Sequence, residues 1–222
     1  MVKATRRAFV RVFAVALLAL FVPQSGQAQG LVNRDRQLPV GVLDILVYAD
    51  ASAGKALTRD ATKLAELLLA AAGVATRWRL CPIVAECSRS RDAEAPEPVV
   101  VILSSSRPTG GHGPCGYATR EAGGIGTAVI SIPCIAESTG DIIGRVHTSL
   151  PMILRHDDVV GAVTAHEIGH LLGLHHADAG LMAPRLGPAD IVDLRLGRLH
   201  FTDAEAALMR TAVLRANRKL QA

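Results

Sequence analysis

The segment from His166 to His176 contains three histidines and a glutamate at spacings that could place them around one metal ion. It has the sequence His-Glu-Ile-Gly-His-Leu-Leu-Gly-Leu-His-His. On an α-helix, His166 and His170 are one turn apart, so their imidazoles project from the same face. Gly173 allows the helix to end, because glycine accepts the left-handed conformation without steric cost. His176 is then free to fold back as a third ligand.

Glu167 adds a proton acceptor to this set. Three neutral imidazoles leave one position of a tetrahedral zinc ion open, which is typical of a catalytic site and not of a structural one. A carboxylate beside that position can accept a proton from the metal-bound water, whose pKa zinc lowers to about 7, and can later give it to a leaving amine. His175 is an alternative third ligand, but the register favours His176.

The full pattern His-Glu-x-x-His-x-x-Gly-x-x-His resembles the metzincin clan of zinc metallopeptidases. Downstream, the segment Gly180 to Pro184, Gly-Leu-Met-Ala-Pro, is similar to the Met-turn of that clan. The resemblance implies that Met182 lies beneath the zinc ligands. The Met-x-Pro form is most similar to matrixins and adamalysins, although Ala177 stands where those families usually carry a characteristic residue.

The resemblance implies a zinc-dependent endopeptidase, and the N-terminal segment described below predicts that it is exported. One catalytic zinc ion would be held by His166, His170 and His176, with Glu167 as the general base and a peptide or protein as the substrate. The alternative is a non-catalytic zinc-binding or adhesion module on the same fold. Glu167 favours the enzyme, because a purely structural zinc site needs histidines and no general base.

Residues Met1 to Ala28 are typical of an export signal, with basic residues before an apolar run and small residues at its end. The basic residues are Lys3, Arg6, Arg7 and Arg11. The apolar run from Val12 to Val22 is too short to span a bilayer. We therefore predict a signal peptide at 1–28, a single zinc metallopeptidase domain at 29–222, and a secreted or periplasmic protein without membrane association after cleavage.

The charge of the chain gives no support for a nucleic-acid partner. The net charge of +4 falls to zero once the four basic residues of the signal are removed. A nucleic-acid-binding domain would need a clustered basic surface that persists after processing. The sequence instead predicts a monomer that acts on a peptide or protein.

The chain has four cysteines, which in an exported protein suggest two disulfides. Of the three possible connectivities, we favour the local pairs Cys81 with Cys87 and Cys115 with Cys134. One alternative concerns Cys115, because Gly-Pro-Cys-Gly faintly resembles the segment around the inhibitory cysteine of matrixin propeptides. That cysteine precedes the catalytic domain, whereas this one lies in mid-chain, so the disulfide is favoured.

Apolar runs predict four strands, at 40–48, 74–80, 98–103 and 126–132. A helix capped by Thr58 and stopped at Gly73 lies between the first two. Strands that alternate with a helix indicate a largely parallel sheet. The fold class is therefore α+β or α/β. The resemblance implies a metzincin-like domain with a mixed, mostly parallel twisted sheet and an antiparallel edge strand within 115–120, above the zinc.

Helices complete the predicted domain. The zinc-site helix runs from about 158 to 172, with Asp157 or Asp158 as its N-cap. Residues 184–197 are predicted to be irregular. Thr202 and Glu205 form a capping box that opens a C-terminal helix through about residue 217.

Overall fold

The computed structural model describes residues 41–82, 98–107, 114–120, 126–147 and 155–218. Five strands and five α-helices lie in these ranges, with a short 3-10 helix at Ala51–Ala53. In chain order they are β1 Val42–Ala49, α1 Lys55–Ala71, β2 Ala75–Pro82, β3 Val99–Ser104, β4 Gly116–Thr119, β5 Thr127–Ser131, α2 Ile132–His147, α3 His156–Leu171, α4 Pro188–Arg195 and α5 Asp203–Arg218.

The strands form one sheet in the order β2-β1-β3-β5-β4. The first three neighbouring pairs are parallel, and β4 runs antiparallel to β5 with Gly116 opposite Ile130. β4 therefore forms one edge of the sheet. The predicted fold class, a mostly parallel sheet with an antiparallel edge strand at 115–120, is confirmed.

The core lies between one face of this sheet and helices α1 and α3. Alternate residues of β1 point into it, and Leu43, Ile45 and Val47 are at most 3% exposed. Gly161 lets α3 approach α1 closely, because a Cβ at this position would lie 2.7 Å from the carbonyl oxygen of Ala61. α3 is thus enclosed by the core and presents its polar side chains from a fixed position.

The predicted N-caps of two helices are wrong. Thr58 lies inside α1, where its hydroxyl donates to the carbonyl of Gly54 at 2.9 Å. A threonine can bond back to a carbonyl four residues earlier as readily as it can cap a helix. Asp157 and Asp158 lie in the first turn of α3, and the Asp158 carboxylate accepts from the N–H of Arg155 at 3.1 Å. Acidic side chains are favourable in that turn as well as at the cap.

The region 184–197 is not irregular as predicted, because it contains α4. Pro188 occupies the first turn, and Ile191 and Leu194 are 1% and 7% exposed. A proline in the first turn and two apolar residues three positions apart were the available signals. The C-terminal capping box is confirmed, since the Thr202 N–H donates to Glu205 Oε2 at 2.7 Å and the Glu205 N–H donates to Thr202 Oγ1 at 3.3 Å.

Cys115 and Cys134 are joined by a disulfide, so Cys115 is not a free inhibitory thiol. Cys81 is also disulfide-bonded. Its predicted partner Cys87 lies outside the described residues, as does the predicted signal peptide. Within the described ranges, no helix combines the length and the apolar character needed to cross a membrane.

Candidate metal centre

The end of α3 brings three histidines together. His166 and His170 lie on its last turns, and the helix closes with the Gly173 N–H donating to the carbonyl of His170 at 3.0 Å. Gly173 has a φ of +95°, which reverses the chain and which L side chains rarely adopt. His176 follows three residues later and returns to the same side of the helix.

One ring nitrogen from each of His166, His170 and His176 lies within 4.8 Å of the others. The Nε2 atoms of His166 and His170 are 3.0 Å apart. The His176 ring centre is 5.3 Å from that of His166 and 4.7 Å from that of His170. His175 is not part of the cluster. The three side chains that the spacing selected are thus the three that converge.

Backbone carbonyls fix which nitrogen of two rings faces inward. His166 Nδ1 lies 2.7 Å from the Leu181 carbonyl oxygen, and His170 Nδ1 lies 2.9 Å from the carbonyl oxygen of Leu174. Because a carbonyl only accepts, each Nδ1 carries the proton and donates. Both Nε2 atoms therefore present lone pairs to the centre of the cluster, as metal-binding imidazoles do.

Two lone pairs 3.0 Å apart repel unless a proton or a metal ion lies between them. A proton is disfavoured, because burial lowers the pKa of His166 to about 4 and also lowers the pKa of His170. Two nitrogens bound at about 2.0–2.1 Å to one tetrahedral zinc ion are about 3.3 Å apart. The donor set and its spacing therefore fit a zinc ion.

Met182 lies directly against the zinc-site helix and is fully buried. A Cβ at Gly169 would lie 2.8 Å from Met182 Sδ, so the glycine leaves room for this sulfur where it lies. The preceding carbonyl, that of Leu181, holds His166, and the Met182 carbonyl accepts from the N–H of Ala177 at 2.9 Å. The turn thus orients one histidine and fixes the backbone beside another.

The Glu167 side chain extends from α3 to the edge strand β4, and the residue is 5% exposed. Burial raises the pKa of its carboxyl to about 7. A carboxylate whose pKa is close to the ambient pH is well matched to transferring protons in both directions. Its side chain contacts Gly116, where an added Cβ would lie 2.5 Å from Glu167 Oε1.

The architecture around this centre is similar to that of solved structures. An archaemetzincin from Methanopyrus kandleri has a TM-score of 0.51 and 15% sequence identity, over 82% of this chain and 98% of that chain. The fold is metzincin-like. A zinc-dependent peptidase from Methanocorpusculum labreanum has a TM-score of 0.47 and 14% identity, over 74% of this chain and 99% of that one. Metalloproteinase-II from Bacteroides fragilis has a TM-score of 0.48 and 15% identity, over 79% of this chain and 54% of that one.

No protein-family model and no curated protein matches the chain. The similarity of this chain to known proteins is thus one of fold. Sequence reasoning missed Gly116 and Gly169 as parts of that centre. Their role is to leave space for side chains distant in the chain or in a neighbouring turn, and nothing in the local sequence signals this.

Proposed function

We propose that this protein is an exported zinc-dependent endopeptidase of the matrixin-like type. The observation that carries the proposal is the pair of His166 and His170 Nε2 atoms 3.0 Å apart, with both Nδ1 atoms engaged by carbonyls. A buried carboxylate, Glu167, follows His166 directly on α3. The Met-Ala-Pro sequence at Met182 supports the matrixin-like type, and the export signal at 1–28 supports a secreted or periplasmic location.

His166, His170 and His176 would together hold one zinc ion. When bound, zinc supplies Lewis-acid chemistry, polarising an amide carbonyl and making water acidic near neutral pH. Two of these rings are fixed by carbonyls, so the ligands are oriented before the metal arrives. Preorganised ligands of this kind favour tight and specific metal binding.

Glu167 would accept the proton of the attacking water and deliver it to the nitrogen of the leaving amine. Its burial excludes bulk water from the carboxylate. β4 ends the sheet beside Glu167, and its outer side has no strand partner among the described residues. An extended peptide can add to such an edge through main-chain hydrogen bonds. A monomer that binds its substrate in this way is the simplest arrangement.

The test combines zinc content with cleavage of a broad peptide library by the purified protein. We expect one zinc ion per chain and internal cleavage that a chelator abolishes. Glu167→Ala should retain zinc and lose at least about 10²-fold in kcat, as for loss of a general base. Glu66→Ala, which removes an exposed glutamate from α1, is the matched control and should keep full activity.

The rival is a non-catalytic zinc-binding or adhesion module. It predicts bound zinc without cleavage of any peptide by the wild type, and no functional change in Glu167→Ala. A folded protein that takes up no zinc would overturn both proposals.

A further inference from the structure

The Glu167 side chain packs against the edge strand at Gly116. A Cβ at this position would lie 2.5 Å from Glu167 Oε1 and 3.0 Å from both Cγ and Cδ. These distances are far below the roughly 3.5–4.0 Å of ordinary contact between heavy atoms. Gly116 is itself buried in the first position of β4. The space that its missing side chain leaves is filled by the glutamate.

The strand cannot withdraw easily to make room for a side chain. Cys115, the residue before Gly116, is tied to Cys134 at the start of α2 by a disulfide. The Cys115 carbonyl accepts from the N–H of Ser131 at 2.8 Å, and Gly116 is paired with Ile130 in the ladder. A covalent and a hydrogen-bonded anchor thus hold this end of β4 against the sheet.

The helix on the other side is equally constrained. α3 lies in the core, and Gly161 already brings it within van der Waals contact of α1. Ile168, the neighbour of Glu167, is fully buried. Both backbones are anchored, whereas Glu167 meets the added Cβ with the far end of a flexible side chain, so we expect the Glu167 side chain to be the group that moves.

We propose that Gly116 is a positioning residue for Glu167. Its lack of a side chain sets where the Glu167 carboxylate lies between the edge strand and the histidine cluster. The expected effect on kcat rests on the proposed peptidase function. The expected effect on thermal stability rests only on the contact between Gly116 and Glu167. The backbone conformation at position 116 does not require a glycine, because the residue lies in a regular strand without a positive φ. Its lack of a side chain serves the glutamate.

The contact is tested first by thermal unfolding of four proteins as purified, with their metal content measured. They are the wild type, Gly116→Ala, Glu167→Ala and the double variant. Gly116→Ala should lower the Tm by roughly 2–6 °C when Glu167 is present, and by much less, or not at all, when Glu167→Ala has emptied the space. If Gly116→Ala does not fold, the double variant should restore folding.

Gly140→Ala is the matched control, because a Cβ at this exposed position of α2 meets nothing within 4 Å. It should not lower the Tm in either background. Equal losses of Tm from Gly116→Ala with and without the glutamate, or a double variant that also fails to fold, would overturn the proposal.

The second test is kinetic. Gly116→Ala should retain zinc and lose on the order of 10²-fold in kcat, as expected for displacement of a catalytic group by about 1 Å, while KM changes much less. A kcat within about threefold of the wild type would contradict a positioning role. If the wild type cleaves no peptide, the peptidase proposal has failed, and the unfolding cycle still decides the contact between Gly116 and Glu167.

Discussion

Single residues around the histidines decide whether the centre is preorganised. His166 and His170 each donate to a carbonyl that belongs to the chain segment after the helix. Met182 and Leu174 of that segment pack against Gly169, and the Met182 sulfur occupies the space that the glycine leaves open. The orientation of the metal ligands therefore depends on two residues that touch no metal.

Gly169→Ala tests this dependence. The added Cβ would lie 2.8 Å from Met182 Sδ and 3.3 Å from Leu174 Cδ1, so it should displace the segment whose carbonyls orient both histidines. We expect zinc affinity to fall about 10–100-fold, as for loss of the partners of metal-bound histidines. Competition with a chromophoric chelator measures it. Gly140→Ala should leave the affinity unchanged, and an unchanged affinity in Gly169→Ala would show that the turn does not orient the ligands.

At the scale of elements, Asp50 connects the ends of two central strands. It follows β1, and its carboxylate accepts from the Ser105 N–H at 2.5 Å, just after β3, and from the Ser52 and Ala53 N–H groups at 3.1 Å. Burial alone would raise the pKa of this carboxyl, but the bonds from Ser105, Ser52 and Ala53 lower it to about 2. The ionised form is thus the one that the fold stabilises.

This lowered pKa predicts a pH dependence of stability. In the unfolded chain an aspartate titrates at about 3.9, so the contribution of Asp50 is fully present above about pH 4 and is lost as the pH falls through about 2. Asp50→Asn should be less stable near neutral pH and should lose less free energy of unfolding between pH 4 and 2. Urea denaturation across this range measures it, with Glu66→Gln as control. Parallel pH profiles for Asp50→Asn and the wild type would contradict the account.

The order and type of most elements could be predicted because their signals are local. A run of β-branched and aliphatic residues predicts β1, and the capping box of Thr202 and Glu205 predicts the start of α5. The first residue of a helix is harder to predict. A hydroxyl or carboxylate such as that of Thr58 or Asp158 has several possible hydrogen-bond partners within four residues. α4 is a short helix with few apolar positions, so its apolar periodicity covers too few residues to distinguish it from irregular chain.

The candidate site divides in the same way. His166, Glu167 and His170 follow from helical spacing and His176 from the helix stop at Gly173, so their convergence could be expected from one segment of sequence. The contacts at Gly116 and Gly169 could not, since each depends on which side chain the fold brings against the glycine. Such positions become visible only with the tertiary structure.

At the scale of the whole molecule, the proposed metal joins parts of the chain that otherwise depend on hydrogen bonds. His166 and His170 belong to α3, whereas His176 lies in the following segment and is exposed. Zinc should therefore stabilise the folded protein, by roughly 4 kcal/mol at a free concentration a thousand times the Kd. Unfolding after chelation and after zinc is restored measures this. An identical Tm in both states would exclude a metal bound specifically to the folded form.

The central claim is that the histidine cluster and Glu167 form a hydrolytic zinc centre. The most direct measurement is peptide-library cleavage by the wild type and by Glu167→Ala at equal, measured zinc content. The account predicts one zinc per chain in both proteins and cleavage by the wild type that is lost in the variant. Equal cleavage by both proteins, or zinc-loaded wild type that cleaves nothing, would contradict it.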